Sequence, residues 1–437
     1  NTADLVALAP DLLGNTKPRR YFLAVLTPSE LRGTIGILGN WGEITADHGQ
    51  ITLTRQGRNT ELNEFGDPAT RQLIGPPEYV RRYARLEPQK IWQEVPTSPD
   101  FPEVAQVMAG LYPQSGGSPV DGVIAVDPLA LAGLLKITGP ISVPEWPEPL
   151  TADNAAQILL YDQYVKYGND TSFRTTFLSD ATSEIWRRLL DSDLDPHQLG
   201  DVLGPIIRDK HLMITTFPPA EASLFHRIEA DGAFPTSPSD LLGVMSLNRG
   251  GNKLDFFLQR TIDYQLKVSP QGDVTGQVKV VLHNDAPASG LPDYIIGGPF
   301  YAPDEKGTSK QWVTLYSPWQ ITGATVNGQV PPNERDTEFG VGLMTVQLEI
   351  PPGGTTELIY TVKGHTDPAT YSLTVFRQAI IRPDNLHLDV QLPSSVVLVP
   401  NHGLTFDAGH LTGNVAVDEQ ITIPNAAAGT AESAAAK

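Results

Sequence analysis

Apolar and polar positions split the chain into two halves with different periods. Up to about residue 230, apolar runs of strand length alternate with segments whose apolar residues recur every three or four positions. From 255 to 425 the helical period almost vanishes and strict alternation replaces it. In the first half, YFLAVL (21–26), 34–41 and 51–55 read as strands, the last two separated by the turn signal Asp47-His48-Gly49. Val104, Val107, Met108 and Leu111 mark a helix over 102–112 with Asp100 as its cap. VIAV (123–126) predicts a strand; Asp127 then caps a helix that has Pro128 in its first turn and ends at Gly139. PISV (140–143) reads as another strand, and helices are expected from Thr151 and from Phe173, the latter with Phe177, Ala181, Ile185 and Leu189 on one face. A final strand (211–217) and helix (219–228) complete an α/β half.

The second half offers period-2 strands at 261–268, 274–284, 343–350, 355–362, 371–377 and 385–392, separated by turns such as QGD and PPGG. That spacing predicts an antiparallel sandwich, with 289–310 as a Gly/Pro-rich surface loop. The expected organisation is a lead-in helix over 1–17, an α/β domain over 18–250, a β-sandwich over 251–425 and a flexible tail over 426–437.

Composition narrows the function classes. A formal net charge of -19 with no long basic run argues against nucleic acid as a partner. The absence of cysteine excludes disulfides, thiolate metal sites and a cysteine nucleophile. No apolar segment reaches the length of a membrane span. The chain opens on Asn1, so a membrane anchor ahead of it is expected; a chain trimmed at both ends fits equally. GxSxG, P-loop, dinucleotide-binding and HExxH signatures are missing. His387, His402 and His410 are scattered, and paired glycosidase acids stay open because acidic residues are plentiful.

Two features ask for an explanation. Gly33, Gly36, Gly39 and Gly42 fall at intervals of three where a buried strand is expected, right after Glu30-Leu31-Arg32. Either a neighbouring backbone packs closely there or a ligand approaches. Arg32, Arg58 and Arg174 lie at predicted element ends in an acidic domain; they are solvated surface residues or a converging set of guanidinium forks for a diphosphate. Asp170, four residues before Arg174, reads as a helix cap, an ion-pair partner or a catalytic carboxylate.

The series RRYFLAVLTPSELRGTIGILGNWGEITADHGQITLTRQGRNTEL, SPVDGVIAVDPLALAGLLKITGPISV and PLTADNAAQILLYDQYVKYGNDTSFRTTFLSDATSEIWRRL is similar to an uncharacterised family of exported, membrane-anchored proteins of Gram-positive bacteria, through its ELR and VDGV-DP signatures. More distantly, residues 18–190 resemble the LytR-CpsA-Psr domain, which transfers glycan polymers from a polyprenyl diphosphate carrier. That resemblance puts Arg32 and Arg58 on the arginines of the first two family motifs, and Asp170 and Arg174 on a later D-x-x-R motif spaced one residue wider here. Gly33-Thr34 and Asn59 stand where the family has its magnesium-binding acids, so no cofactor is expected and phosphate binding is more credible than magnesium-assisted transfer.

The implied protein is extracytoplasmic and binds, or transfers, a polyprenyl-phosphate-linked glycopolymer. Arg32, Arg58 and Arg174 would hold the headgroup, Gly33, Gly36 and Gly39 would floor a groove, and Asp170 would be the surviving catalytic acid. Two other readings stand beside it: a non-catalytic surface scaffold whose β-sandwich contacts protein partners, and a protein that binds or cleaves wall glycan.

Overall fold

The computed structural model describes residues 2–144, 146–168, 170–191, 196–236, 239–297 and 305–426. The expected tail therefore lies, from 427 on, outside the described residues. The chain divides into an α/β unit, Asn1–Ala233 with Pro292–Ile295, and a β unit, Phe234–Leu291 with Ile296–Lys437.

In the α/β unit, helix α1 (Thr2–Leu12) leads into strands β1 (Arg19–Leu31), β2 (Gly36–Asp47) and β3 (Gln50–Arg58). The β2–β3 hairpin is closed by His48 and Gly49, both at positive φ (49° and 82°), the geometry that matches the twist of two antiparallel strands. Helices α2 (Asn59–Glu64), α3 (Pro77–Tyr83) and α4 (Phe101–Leu111) follow, then β4 (Gly122–Val126) and α5 (Pro128–Thr138). Asp100 caps α4 by accepting from Glu103 N at 3.0 Å, and Asp127 caps α5 by accepting from Leu129 N and Ala130 N, both at 2.9 Å. α6 (Ala155–Gln157), a π-helical turn (Ile158–Asp162) and α7 (Gln163–Tyr167) run without interruption; Thr151 and Asn154 start them by exchanging side chain to backbone hydrogen bonds. α8 (Thr171–Asp191), α9 (Pro196–Arg208), β5 (Leu212–Thr216) and α10 (Pro219–Arg227) complete the unit.

The sheet order is β3-β2-β1-β4-β5, with β1 and β4 parallel and the remaining neighbours antiparallel. The core on one side of it joins Leu23, Val25 and Ile44 to Leu131, Leu135, Ile158, Phe177, Ala181 and Ile185 of the helices; this is the face read from the period of α8 except for Phe173, which sits in the helix's first turn and is exposed. PISV is not a strand. Pro140 and Pro144 leave this stretch few donors, and it makes one isolated bridge, Ile141 to Leu150.

The β unit holds strands β6 (Asp240–Asn248), β7 (Leu258–Val268), β8 (Asp273–Asn284), β9 (Ser309–Ser317), β10 (Gln320–Val326), β11 (Asn333–Glu338), β12 (Val341–Ile350), β13 (Thr355–His365), β14 (Leu373–Phe376), β15 (Asp384–Gln391), β16 (Thr405–Asp407), β17 (His410–Val417) and β18 (Ile421–Ile423). They form a seven-stranded sheet, β10-β13-β8-β7-β15-β17-β16, and a six-stranded sheet, β11-β12-β9-β6-β14-β18. Side-chain links join the sheets, among them Tyr360 OH donating to Val313 O, Tyr264 OH donating to Asp240, and Arg260, which holds both oxygens of Asp384 while donating to Ser246 Oγ. The sandwich is antiparallel except for one parallel pair in each sheet, β7 with β15 and β6 with β14. β6 lies before the expected boundary at 250. All nine of its residues are buried, so it carries no alternation to mark it as part of the second half.

Candidate functional site

The glycine series answers to backbone packing. A Cβ on Gly36 would stand 1.9 Å from Thr27 O and 2.8 Å from Glu30 O, where β1 bulges between Thr27 and Leu31. One on Gly33 would stand 2.2 Å from Thr97 O. Thr34 fastens the same turn, its N–H to Pro96 O (2.9 Å) and its hydroxyl to Ser98 O (2.7 Å). Gly39 is different: its nearest neighbour is Val25 O at 3.6 Å, so a methyl group fits. Gly33 and Gly36 are therefore filled by neighbouring chain and floor no groove for a ligand.

Arg32 is spent on the same packing. Its guanidinium donates to both carboxylate oxygens of Glu94, at 3.1 and 2.8 Å, and to Leu31 O at 2.9 Å. Side-chain exposure is 5% for Arg32 and 14% for Glu94, so the pair is a buried ion pair with the fork geometry of a carboxylate clamp. This fork was expected at a groove mouth. The structure turns it onto the Trp92–Thr97 turn, which no sequence signal linked to it.

Arg58 ends β3 and is half-buried, and its guanidinium has no ion-pair partner among the described residues. In register it faces Asn40 of β2, while Leu31 faces Gly36. Four residues of β2 separate these positions, about 13 Å along the strand, with β2 itself lying between. Arg32 and Arg58 thus stand apart with different surroundings. Arg174 is in the first turn of α8, and its side chain lies outside the described residues. Asp170 accepts from Phe173 N at 3.3 Å, the bond of a helix cap.

Between α8 and the sheet is a cavity of about 10 Å³, the room of one water. Asn40, Gln56, Gly57, Ser179 and Thr182 line it, and the buried Thr182 hydroxyl has no hydrogen-bond partner among the described residues. Two further polar clusters were not anticipated. Tyr112 OH donates to the buried Glu43 at 2.8 Å, and burial followed by that bond raises the phenol pKa, keeping it a neutral donor. Asp127, besides capping α5, meets His211 Nδ1 at 2.6 Å. Both are buried, so the pair clamps the start of α5 to β5 rather than facing a substrate. Among the described residues no group of three His, Asp or Glu is placed to hold a metal ion.

A depression of about 330 Å³ is on the solvent side of the seven-stranded sheet, lined by Gln265, Lys267, Thr275, Gln277, Asp389 and Gln391. These are the outward positions of β7, β8 and β15, whose inward partners Tyr264, Leu266, Val278 and Val390 are buried. Their alternation was visible in TIDYQLKV, VTGQVKVVLHN and NLHLDVQL. What was not visible is that β15 lies beside β7 in parallel register, bringing residues more than a hundred positions apart onto one face.

A family described as "Protein of unknown function (DUF4012)" matches residues 16–164, less than half of the chain. None of the curated proteins matches. Among solved structures the chain is similar to a putative nutrient binding protein from Legionella pneumophila, at 7% identity over 42% of this chain and 70% of that one, with a TM-score of 0.26. It is also similar to leukotriene A4 hydrolase from Saccharomyces cerevisiae (12% identity, 39% and 28% covered, TM-score 0.24) and to an M1 zinc metallopeptidase from Deinococcus radiodurans (14%, 38% and 42%, TM-score 0.23). The matched parts span less than half the length of those two enzymes, and TM-scores this low carry no argument about fold or function. The family match therefore places similarity in the α/β unit and leaves its activity open.

Proposed function

We propose that this protein is a non-catalytic scaffold of the cell surface whose β unit makes the partner contacts. One observation carries the reading. Arg32, which the transferase resemblance puts on the family's early arginine, is buried in a bidentate ion pair with Glu94, whereas the β unit presents a broad polar sheet face to solvent. A side chain committed to an internal partner at 5% exposure is not available to a headgroup. An extracytoplasmic, membrane-anchored location goes with this proposal through the resemblance to exported proteins.

The test uses the full chain on purified Gram-positive envelopes and, separately, on a polyprenyl-diphosphate-linked glycan with a wall acceptor. Retention on the envelope without glycan transfer is the expected result; transfer that depends on Asp170 would overturn the proposal. A second reading, binding of a polyprenyl phosphate by the α/β unit, is favoured by the half-buried Arg58 with no ion-pair partner among the described residues. Under it, Arg58→Ala abolishes binding to vesicles that carry polyprenyl phosphate. Under the scaffold reading wild type and variant ignore those vesicles equally.

A further inference from the structure

Resting on the reading that the β unit is the contact surface, we infer that the outer face of the seven-stranded sheet binds a neutral, hydroxyl-rich polysaccharide laid across the strands. The argument starts from register. Thr361 of β13 faces Gln277 of β8, which faces Gln265 of β7. Gln265 faces Asp389 of β15, which faces Thr412 of β17, which faces Thr405 of β16. These six residues make one unbroken polar file across six strands, about 24 Å long at the usual strand spacing. The depression of about 330 Å³ opens over its middle, a size in the range of small-ligand sites.

The chemistry of the file selects the ligand. Five of its residues are amides or hydroxyls on the outward face, and the two central amides are aligned by a 2.7 Å bond from Gln277 Nε2 to Gln265 Oε1. Each amide offers both a donor and an acceptor, as does each hydroxyl of a sugar. Asp389 is the file's one charge. In the neighbouring file Asp263 is held by Lys279 at 2.5 Å and by His387 Nδ1 at 2.6 Å, so those charges cancel locally. Around the depression itself Lys267 is matched by Asp389, so the lining carries no net cationic charge for a polyanion, and the net charge of -19 on the chain opposes one further. Sugar units along an extended chain repeat at a spacing comparable to that of strands, so successive units meet successive side chains. No aromatic platform joins the file, so affinity comes from many modest hydrogen bonds and grows with polymer length.

The test measures binding of the full chain to mannan, dextran and cellohexaose, with heparin as the polyanion, at low and high salt. Wild type is expected to bind at least one neutral polysaccharide, with affinity unchanged by salt. The double variant Gln265→Ala, Gln277→Ala, with unchanged melting, is expected to bind about tenfold more weakly, the loss of one or two hydrogen bonds. Failure to bind any neutral polysaccharide, equal binding by the double variant, or salt-sensitive binding to heparin alone would each overturn the inference. Envelope retention separates this failure from that of the scaffold reading. If the double variant loses the envelope while wild type binds no neutral polysaccharide, the ligand is wrong and the contact surface stands. If the double variant keeps the envelope, the contact surface itself is wrong.

Discussion

Gly36 has no room for a methyl group, because the carbonyl of Thr27 already occupies the place of its Cβ. Alanine there forces backbone against backbone, which cannot relax as a flexible side chain does. We expect Gly33→Ala and Gly36→Ala each to cost about 2 kcal/mol or more in urea unfolding, and Gly39→Ala to stay within about 1 kcal/mol. Equal tolerance at all three positions would revive the open groove. Arg32 gives a second residue-scale test. Arg32→Ala leaves the Glu94 carboxylate buried without its main partner and should destabilise by about 3–5 kcal/mol, whereas removing both charges with Arg32→Met and Glu94→Leu should recover most of that loss. A ligand-binding arginine held at a groove mouth would instead be neutral for stability when truncated.

Among the elements, β6 carries the most consequential polar residue of the β unit. Asp240 begins this strand and is fully buried, accepting from Tyr264 OH, Tyr371 OH and Trp319 Nε1. Burial pushes its carboxyl up to about 6, against the opposing pull of those hydrogen bonds. The folded value exceeds the unfolded one, so the folded state holds the proton more tightly between them. This stabilising contribution is complete below about pH 4 and is lost as pH rises through about 6, at most about 3 kcal/mol. The stability of wild type minus that of Asp240→Asn should therefore grow as pH falls from 7 to 4; a flat difference would place Asp240 outside the titrating groups.

β6 also marks where sequence reading stops. Caps such as Asp100 and Asp127 are local signals and were legible, as were the alternating strands β7, β8, β13 and β15. A strand buried on both faces has no period, and Pro-flanked PISV imitates one. The partner of Arg32 lies 62 residues away in a short turn containing Pro96, and no local pattern could name it. Likewise, the polar file was readable strand by strand, but its assembly depends on a parallel pairing that only topology decides.

At the scale of the whole molecule, each unit has a core cluster of its own. Leu23, Leu131, Phe177 and their neighbours serve the first; Phe234, Met245, Tyr316 and Phe376 belong to the second. Chains built this way depart from all-or-none unfolding, since each core melts by its own balance of burial and chain entropy. Calorimetry should resolve two transitions. Arg32→Ala should lower one and leave the other in place, while a shift from pH 7 to 5 should raise the other relative to its position in Asp240→Asn. The α/β unit is discontinuous: Tyr294, in the returning segment Pro292–Ile295, lies with its ring centroid 5.4 Å from that of Tyr164. Tyr294→Ala should therefore move the transition that Arg32→Ala moves, although residue 294 lies within the sequence of the β half. A shift of the Asp240-sensitive transition instead would mean that the returning segment is stabilised by the β unit, and that the α/β unit ends at Ala233.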